Sequence, residues 1–216
     1  MTGGALEIQA AADRVLAIAR EAAQGIARVY AGAFEVDYKG ADDPVTCADR
    51  EANAHICAEL ARSYPGVPIV AEESEPDSYA GFATAERAWF VDPLDGTREF
   101  VARNGEFAVM IGLAEAGQAV LGVLVMPALG RAFVGGRGLG AFEYGAAGTG
   151  RFPISVAART ELRGSRVVVS RSRRSPAADK RIAELGLIAV PCGSAGLKAA
   201  KVACGEVDLY VHGGRA

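Results

Sequence analysis

Two aspartates stand three residues apart in Trp89-Phe90-Val91-Asp92-Pro93-Leu94-Asp95-Gly96-Thr97-Arg98-Glu99-Phe100. Carboxylates that close repel one another unless a cation neutralises them, and an all-oxygen set suits a hard metal ion. Pro93 fixes the turn and has no N–H to donate. Gly96 permits close backbone approach. Thr97 can cap a following helix, whose first N–H groups then face outward as an anion site. A metal site and a phosphate site would adjoin. The plainer reading is an acidic helix cap, and this motif alone does not choose between the two.

Two more acidic groups bear on the choice. Glu72 and Glu73 follow the apolar run Ile69-Val70-Ala71, and Asp49 follows Thr46. Each alone reads as a surface carboxylate or as a complement to a helix dipole. Together, strand-end carboxylates beside a phosphate cradle are what two-metal phosphate hydrolysis requires. No Cys or Ser sits in a nucleophile setting, which agrees with direct attack by water.

The elements that must hold these groups follow from periodicity. Ile8, Ala12, Val15, Ile18, Ala22, Ile26 and Val29 recur at helical steps and predict one long amphipathic helix stopping at Gly32. Residues 38–44 read as a polar loop. Thr46 and Asp49 have capping-box spacing for a second helix with Ala52, Ile56 and Leu60 inward, ending before Pro65. Ile69–Ala71 and Trp89–Val91 read as short strands that deliver Glu72 and Asp92 at their ends. Phe107–Leu113 and Ala119–Met126 form a hairpin about Ala116-Gly117, and a further hairpin surrounds Gly135–Gly140. That glycine run is not a dinucleotide fingerprint, because its spacing fails and no helix follows.

The Gly-rich stretch 145–150 marks a boundary between residues 1–150 and a smaller α/β unit, 151–216. In the second unit Val167–Val169, Leu187–Val190 and Asp208–Val211 read as strands. Pro176–Leu185 and Ser194–Cys204 read as helices. The 216 residues are 50% hydrophobic and 23% charged, with a net charge of −3. That balance gives no support for binding a nucleic acid polymer or an anionic membrane. Apolar runs such as Val120–Met126 are far shorter than the roughly 20 residues a membrane span needs. The N-terminus lacks the basic start and apolar block of a signal peptide, so a cytoplasmic protein is expected. Cys47, Cys57, Cys192 and Cys204 form no CxxC pair and read as buried reduced thiols.

Pro44-Val45-Thr46-x-Ala48-Asp49, then Glu72-Glu73-Ser74, then Asp92-Pro93-Leu94-Asp95-Gly96-Thr97 resembles the inositol monophosphatase superfamily in order and spacing. The likeness continues through Gly138-x-Gly140-Ala141-Phe142, Gly193-Ser194-Ala195 and Gly205-x-x-Asp208-x-Tyr210, and so covers nearly the whole chain. Arg98-Glu99-Phe100, Arg103-Asn104-Gly105-Glu106-Phe107 and Ser170-Arg171-Ser172 look like the 3′(2′),5′-bisphosphate nucleotidase branch. The resemblance implies a layered αβαβα sandwich (α/β, or α+β) of the inositol monophosphatase and fructose-1,6-bisphosphatase type, as a possible homodimer. It implies a Mg²⁺-dependent phosphate-monoester hydrolase using two or three ions and sensitive to lithium. Adenosine 3′,5′-bisphosphate is the favoured substrate, with an inositol or sugar monophosphate as runner-up.

Residue by residue, the resemblance places the first Mg²⁺ on Glu72, Asp92 and the Leu94 carbonyl, and the second on Asp92 and Asp95. Asp49 and Thr97 would orient and deprotonate the attacking water. N–H groups of Gly96 and Thr97 would bind the phosphate. Lys39 would close over it, a role no better supported than that of a solvated loop lysine. Gly193, Ser194 and Ala195 would line the alcohol side with His212 nearby, although a lone His is more often structural. In the resembling family the strand matching Asp208–Val211 is followed by a Trp-Asp whose Asp holds the second ion, and no such pair precedes Ala216. The expectation is a weakened second metal site. The other class of function is a truncated, non-catalytic protein that keeps a phosphate or metal site and acts by binding a partner.

Overall fold

The structure is a computed structural model describing residues 2–40, 43–75, 79, 81–145, 150–172 and 174–211. Helix α1 (Thr2–Ala31) buries Val15, Ile18, Ala22 and Ile26 along one stripe, and the Gly32 N–H closes it on Val29 O at 3.0 Å. The stretch expected to be a polar loop instead forms a two-stranded hairpin of β1 (Val36–Gly40) and β2 (Asp43–Thr46), with Val36 opposite Thr46. Its Asp, Lys, Gly and Pro are poor strand formers, and strands of four and five residues are too short to show an alternation. Helix α2 (Cys47–Ser63) starts on the predicted capping box, Thr46 with Asp49, and buries Ala52, Ile56 and Leu60.

The large sheet has the order β3 (Ile69–Ala71), β4 (Arg87–Asp95), β5 (Ala108–Glu115), β6 (Gln118–Met126), β7 (Arg131–Gly136), β8 (Gly140–Tyr144), β9 (Arg151–Pro153). β3 runs parallel to β4, and the rest is an antiparallel meander. Ala116 (φ 48°) and Gly117 (φ 73°) make the left-handed pair of the tight hairpin turn expected there; the glycine adopts it freely, whereas the alanine is held in it by the pairing of Glu115 with Gln118. β9 carries this sheet past residue 150. α1 and α2 cover one face, where Trp89, Val91, Ile111 and Val123 meet Ile18, Ile26 and Ile56.

The smaller sheet has the order β11 (Ile188–Cys192), β10 (Arg166–Ser170), β12 (Leu209–Tyr210), all parallel. Helix α4 (Pro176–Glu184), capped by Ser175, connects β10 to β11 and buries no residue fully. Helix α5 (Ala195–Ala203) fills the space between the sheets, where Leu197 and Ala200 touch Val168 and Cys192 on one side and Ala108, Met126 and Phe133 on the other. The layers are therefore α1/α2, large sheet, α5, small sheet, α4, which is the five-layer arrangement expected. An ion-pair clamp spans the middle. Arg131 on β7 meets Glu143 on β8 and Glu206 after α5, each at 2.6 Å, and Lys201 holds Glu206 at 2.8 Å. All four cysteines are free thiols, but only Cys192 is buried; Cys47 is exposed, because α2 turns its first residue to solvent.

Candidate active site

Strand register assembles the acidic groups. Ala71 pairs with Val91, and the Glu72 N–H donates to Val91 O at 3.0 Å, so Glu72 leaves β3 beside Asp92. Asp92 lies opposite Met110 and Asp95 opposite Ala108, so β4 carries one extra residue between them. That bulge corrects the expected tight turn beyond a strand: both aspartates belong to β4. Pro93 sits in the bulge, where its missing N–H costs no ladder bond. The Leu94 N–H donates to Asp92 Oδ1 at 3.2 Å. Tyr79, which no sequence signal singled out, closes the end of β3 with its hydroxyl against the carbonyls of Ala71 and Ser74.

A second correction concerns Thr97. The residue before helix α3 (Thr97–Val101) is Gly96, left-handed at φ 95°, and no side chain caps it. Thr97 is already helical, and its hydroxyl turns inward instead, 3.1 Å from both Asp49 Oδ1 and the Leu94 carbonyl. One hydroxyl proton serves only one of these acceptors at a time. The other Asp49 oxygen accepts from the Thr46 N–H at 2.8 Å and the Thr46 hydroxyl at 2.7 Å. Burial pushes the Asp49 carboxyl above the usual aspartate range, opposed by the Thr46 and Thr97 hydrogen bonds and reinforced by Glu73 nearby.

Asp95 reaches across the molecule to the start of α5. It accepts from the Ser194 hydroxyl, from the Ala195 N–H at 3.1 Å and from the Gly196 N–H at 2.6 Å. This junction is too close for side chains at two positions. A Cβ at Gly193 would lie 2.8 Å from Glu99 Oε1, and one at Gly196 would lie 2.5 Å from Leu124 Cδ1. Ser194 itself has φ 49° and ψ 133°, an uncommon conformation for a residue with a Cβ.

Glu72, Asp92, Leu94, Asp95, Gly96, Thr97, Asp49, Gly193, Ser194 and Ala195 are thus gathered around the β4–α3 junction. Lys39 falls on β1, its side chain outside the described residues, as is His212. Glu72 and Asp92 border a cavity of about 870 Å³ between the large sheet and α5, lined mostly by apolar groups including Phe90, Leu124, Ala199 and Tyr210. Two charged residues join the site with no role assigned from the sequence: Glu106 and Arg171, whose ion pair abuts Gly193.

No three Asp, Glu, His or Cys side chains among the described residues converge as they stand on a point where an ion would sit. Asp95 is turned to α5, and Asp92 shares a hydrogen bond with Glu72. Burial, then repulsion from Glu72 and Asp95, raises the Asp92 carboxyl far above its ordinary 3.8. Buried oxygen donors crowded enough to repel one another fit a hard divalent ion such as Mg²⁺. The consequence for stability has a definite sign. Groups with raised folded values stabilise most below their unfolded values, and that contribution is lost as the pH rises through the folded ones. With chelator present, the melting temperature should fall by about 3–5 °C per pH unit from mildly acidic pH through neutrality. Added Mg²⁺ should flatten that slope; a flat profile in chelator would mean the carboxylates do not repel.

The chain matches the inositol monophosphatase family over residues 8–216. It is 35% identical over 203 residues to the 3′(2′),5′-bisphosphate nucleotidase CysQ of Salmonella typhimurium, covering 92% of this chain and 78% of that protein. The solved structure of CysQ from Bacteroides thetaiotaomicron, a bacterial member of the same family, superposes with a TM-score of 0.78 at 29% identity, covering 95% of this chain and 80% of that one. The extragenic suppressor protein suhB of Bartonella henselae gives the same TM-score, 0.78, at 28% identity over 94% of this chain and 79% of its own.

Proposed function

Because the chain belongs to the inositol monophosphatase family and is a phosphoric monoester hydrolase, we propose that it is a Mg²⁺-dependent 3′(2′),5′-bisphosphate nucleotidase converting adenosine 3′,5′-bisphosphate to AMP and phosphate. Glu72, Asp92 and the Leu94 carbonyl would hold one Mg²⁺, and Asp92 and Asp95 another. The bound ions would neutralise phosphoryl oxygens and acidify water. Thr97 takes a hydrogen bond from the attacking water while donating to Asp49, and Asp49 receives the proton. Its raised affinity for a proton suits that task. N–H groups of Gly96 and Thr97 hold the phosphate, and the turn at Gly193, Ser194 and Ala195 orients the leaving alcohol.

The observation that carries this reading is the Thr97 hydroxyl, 3.1 Å from Asp49 Oδ1 and from Leu94 O, which joins a proton acceptor to the carboxylate-bearing bulge. The choice of a bisphosphate nucleotide over other monoesters rests on likeness to the Salmonella CysQ relative. Phosphate release from adenosine 3′,5′-bisphosphate and from inositol 1-phosphate, each with Mg²⁺ and with chelator, tests both parts. Release only with Mg²⁺ and a preference of about tenfold or more for the bisphosphate are expected. A preference for inositol 1-phosphate overturns the substrate; release that ignores chelator overturns the metal.

A further inference from the structure

Two segments conspicuous in the sequence, Arg103–Phe107 and Ser170–Ser172, meet in the fold. Glu106 Oε2 accepts from the Gly193 N–H at 2.6 Å and from Arg171 Nε at 2.8 Å, and Oε1 accepts from Arg171 Nη2 at 2.6 Å. Arg171 also donates to the Pro191 carbonyl at 3.2 Å, and its own N–H reaches Cys192 O at 3.1 Å. The guanidinium is thereby fixed on the end of β11, immediately before the turn. On its other side the Glu106 backbone carbonyl lies 2.8 Å from where a Cβ on Gly96 would sit. Glu106 therefore touches both halves of the site, by its side chain at Gly193 and by its main chain at Gly96.

The turn it grips is the strained one. Ser194 is held at φ 49°, and such a conformation persists only where neighbours over-determine it. Those neighbours are two carboxylates acting on consecutive residues: Glu106 takes the N–H of Gly193, and Asp95 takes Ser194, Ala195 and Gly196. We infer that Glu106, locked by Arg171, is a positioning residue that acts through the 193–196 turn to aim the Asp95 carboxylate. Without it the turn relaxes, its donors leave Asp95, and that carboxylate loses its fixed orientation. Mg²⁺ demands near-ideal octahedral geometry and Ca²⁺ does not, so the loss falls mainly on Mg²⁺.

This inference rests on the proposed metal site, and the test separates the two. Mg²⁺ and Ca²⁺ dissociation constants are measured by calorimetry on the full chain, beside melting temperatures. Glu106→Ala should weaken Mg²⁺ binding about tenfold and Ca²⁺ binding about twofold, with a fold that still melts cooperatively. Glu106→Gln, which keeps an acceptor for the Gly193 N–H, should recover most of the Mg²⁺ affinity. It also keeps the test open if the alanine variant fails to fold. Unchanged Mg²⁺ affinity in Glu106→Ala overturns the inference alone, as does an equal loss for both ions. Wild-type protein that binds no Mg²⁺ overturns the metal site and the inference with it.

Discussion

Asp92→Asn is expected to abolish phosphate release, by about 10³-fold or more, while leaving the metal-free fold at least as stable as the wild type. The two halves of this result come from one arrangement. Asp92 in the metal-free protein favours its proton because it is crowded by burial, Glu72 and Asp95. An asparagine copies that protonated form. Its Oδ1 keeps the Leu94 N–H at the position now 3.2 Å away, and its amide donates towards Glu72 where the shared proton was. What it cannot do is supply the negative charge that the proposed Mg²⁺ ions would need. Turnover at saturating Mg²⁺ and melting in chelator are the measurements. Near-normal turnover would sink the ligand assignment, and a melting point lowered by about 3 °C or more would sink the account of the proton.

Asp49→Asn should cost about 10²–10⁴-fold in turnover and about 1 kcal/mol in stability. The carboxylate accepts three hydrogen bonds, two from Thr46 and one from Thr97. An amide has one oxygen to accept with. If that oxygen keeps the cap on α2, the amide nitrogen faces Thr97 and only donates, so the hydroxyl proton is driven to the Leu94 carbonyl and the route for a proton is closed. Thr46→Ala is the control. It breaks the cap without touching Thr97, and should show a similar loss of stability with turnover kept within about fivefold. Equal losses of turnover in the two variants would show that Asp49 serves only as a helix cap.

What could be read from the sequence divides along physical lines. α1 and α2 announce themselves because Ile, Val and Ala repeat at the helical period, and the β5–β6 hairpin because Gly117 interrupts two apolar strand patterns. The β1–β2 hairpin gives no such sign, since its short strands are made largely of residues that rarely form strands. Asp92 and Asp95 were recognisable as a pair, but the bulge that keeps both within β4 depends on the partner strand, which spacing alone does not reveal. Thr97 reads as a cap from its place after Gly96; the left-handed glycine instead moves the helix start and turns the hydroxyl to Asp49. Least legible were the long-range grips. Asp95 and Gly196 lie 101 residues apart, and Glu106 and Arg171 65 apart, and each looks like an ordinary surface charge until the layers close.

The junction at α5 also bears on how such a sequence can change over generations. Of the three donors given to Asp95, two are main-chain N–H groups, those of Ala195 and Gly196. Ala195 gives its N–H to Asp95 whatever its side chain, so a change at this position alters the lining of the cavity while the donor stays in place. Gly193 and Gly196 are pinned, because a methyl group at either would strike Glu99 or Leu124. Selection at 193 and 196 acts on the path of the chain, whereas at 195 it acts only on what the cavity admits, so substitutions should appear at 195 as the bound alcohol changes while 193 and 196 stay silent.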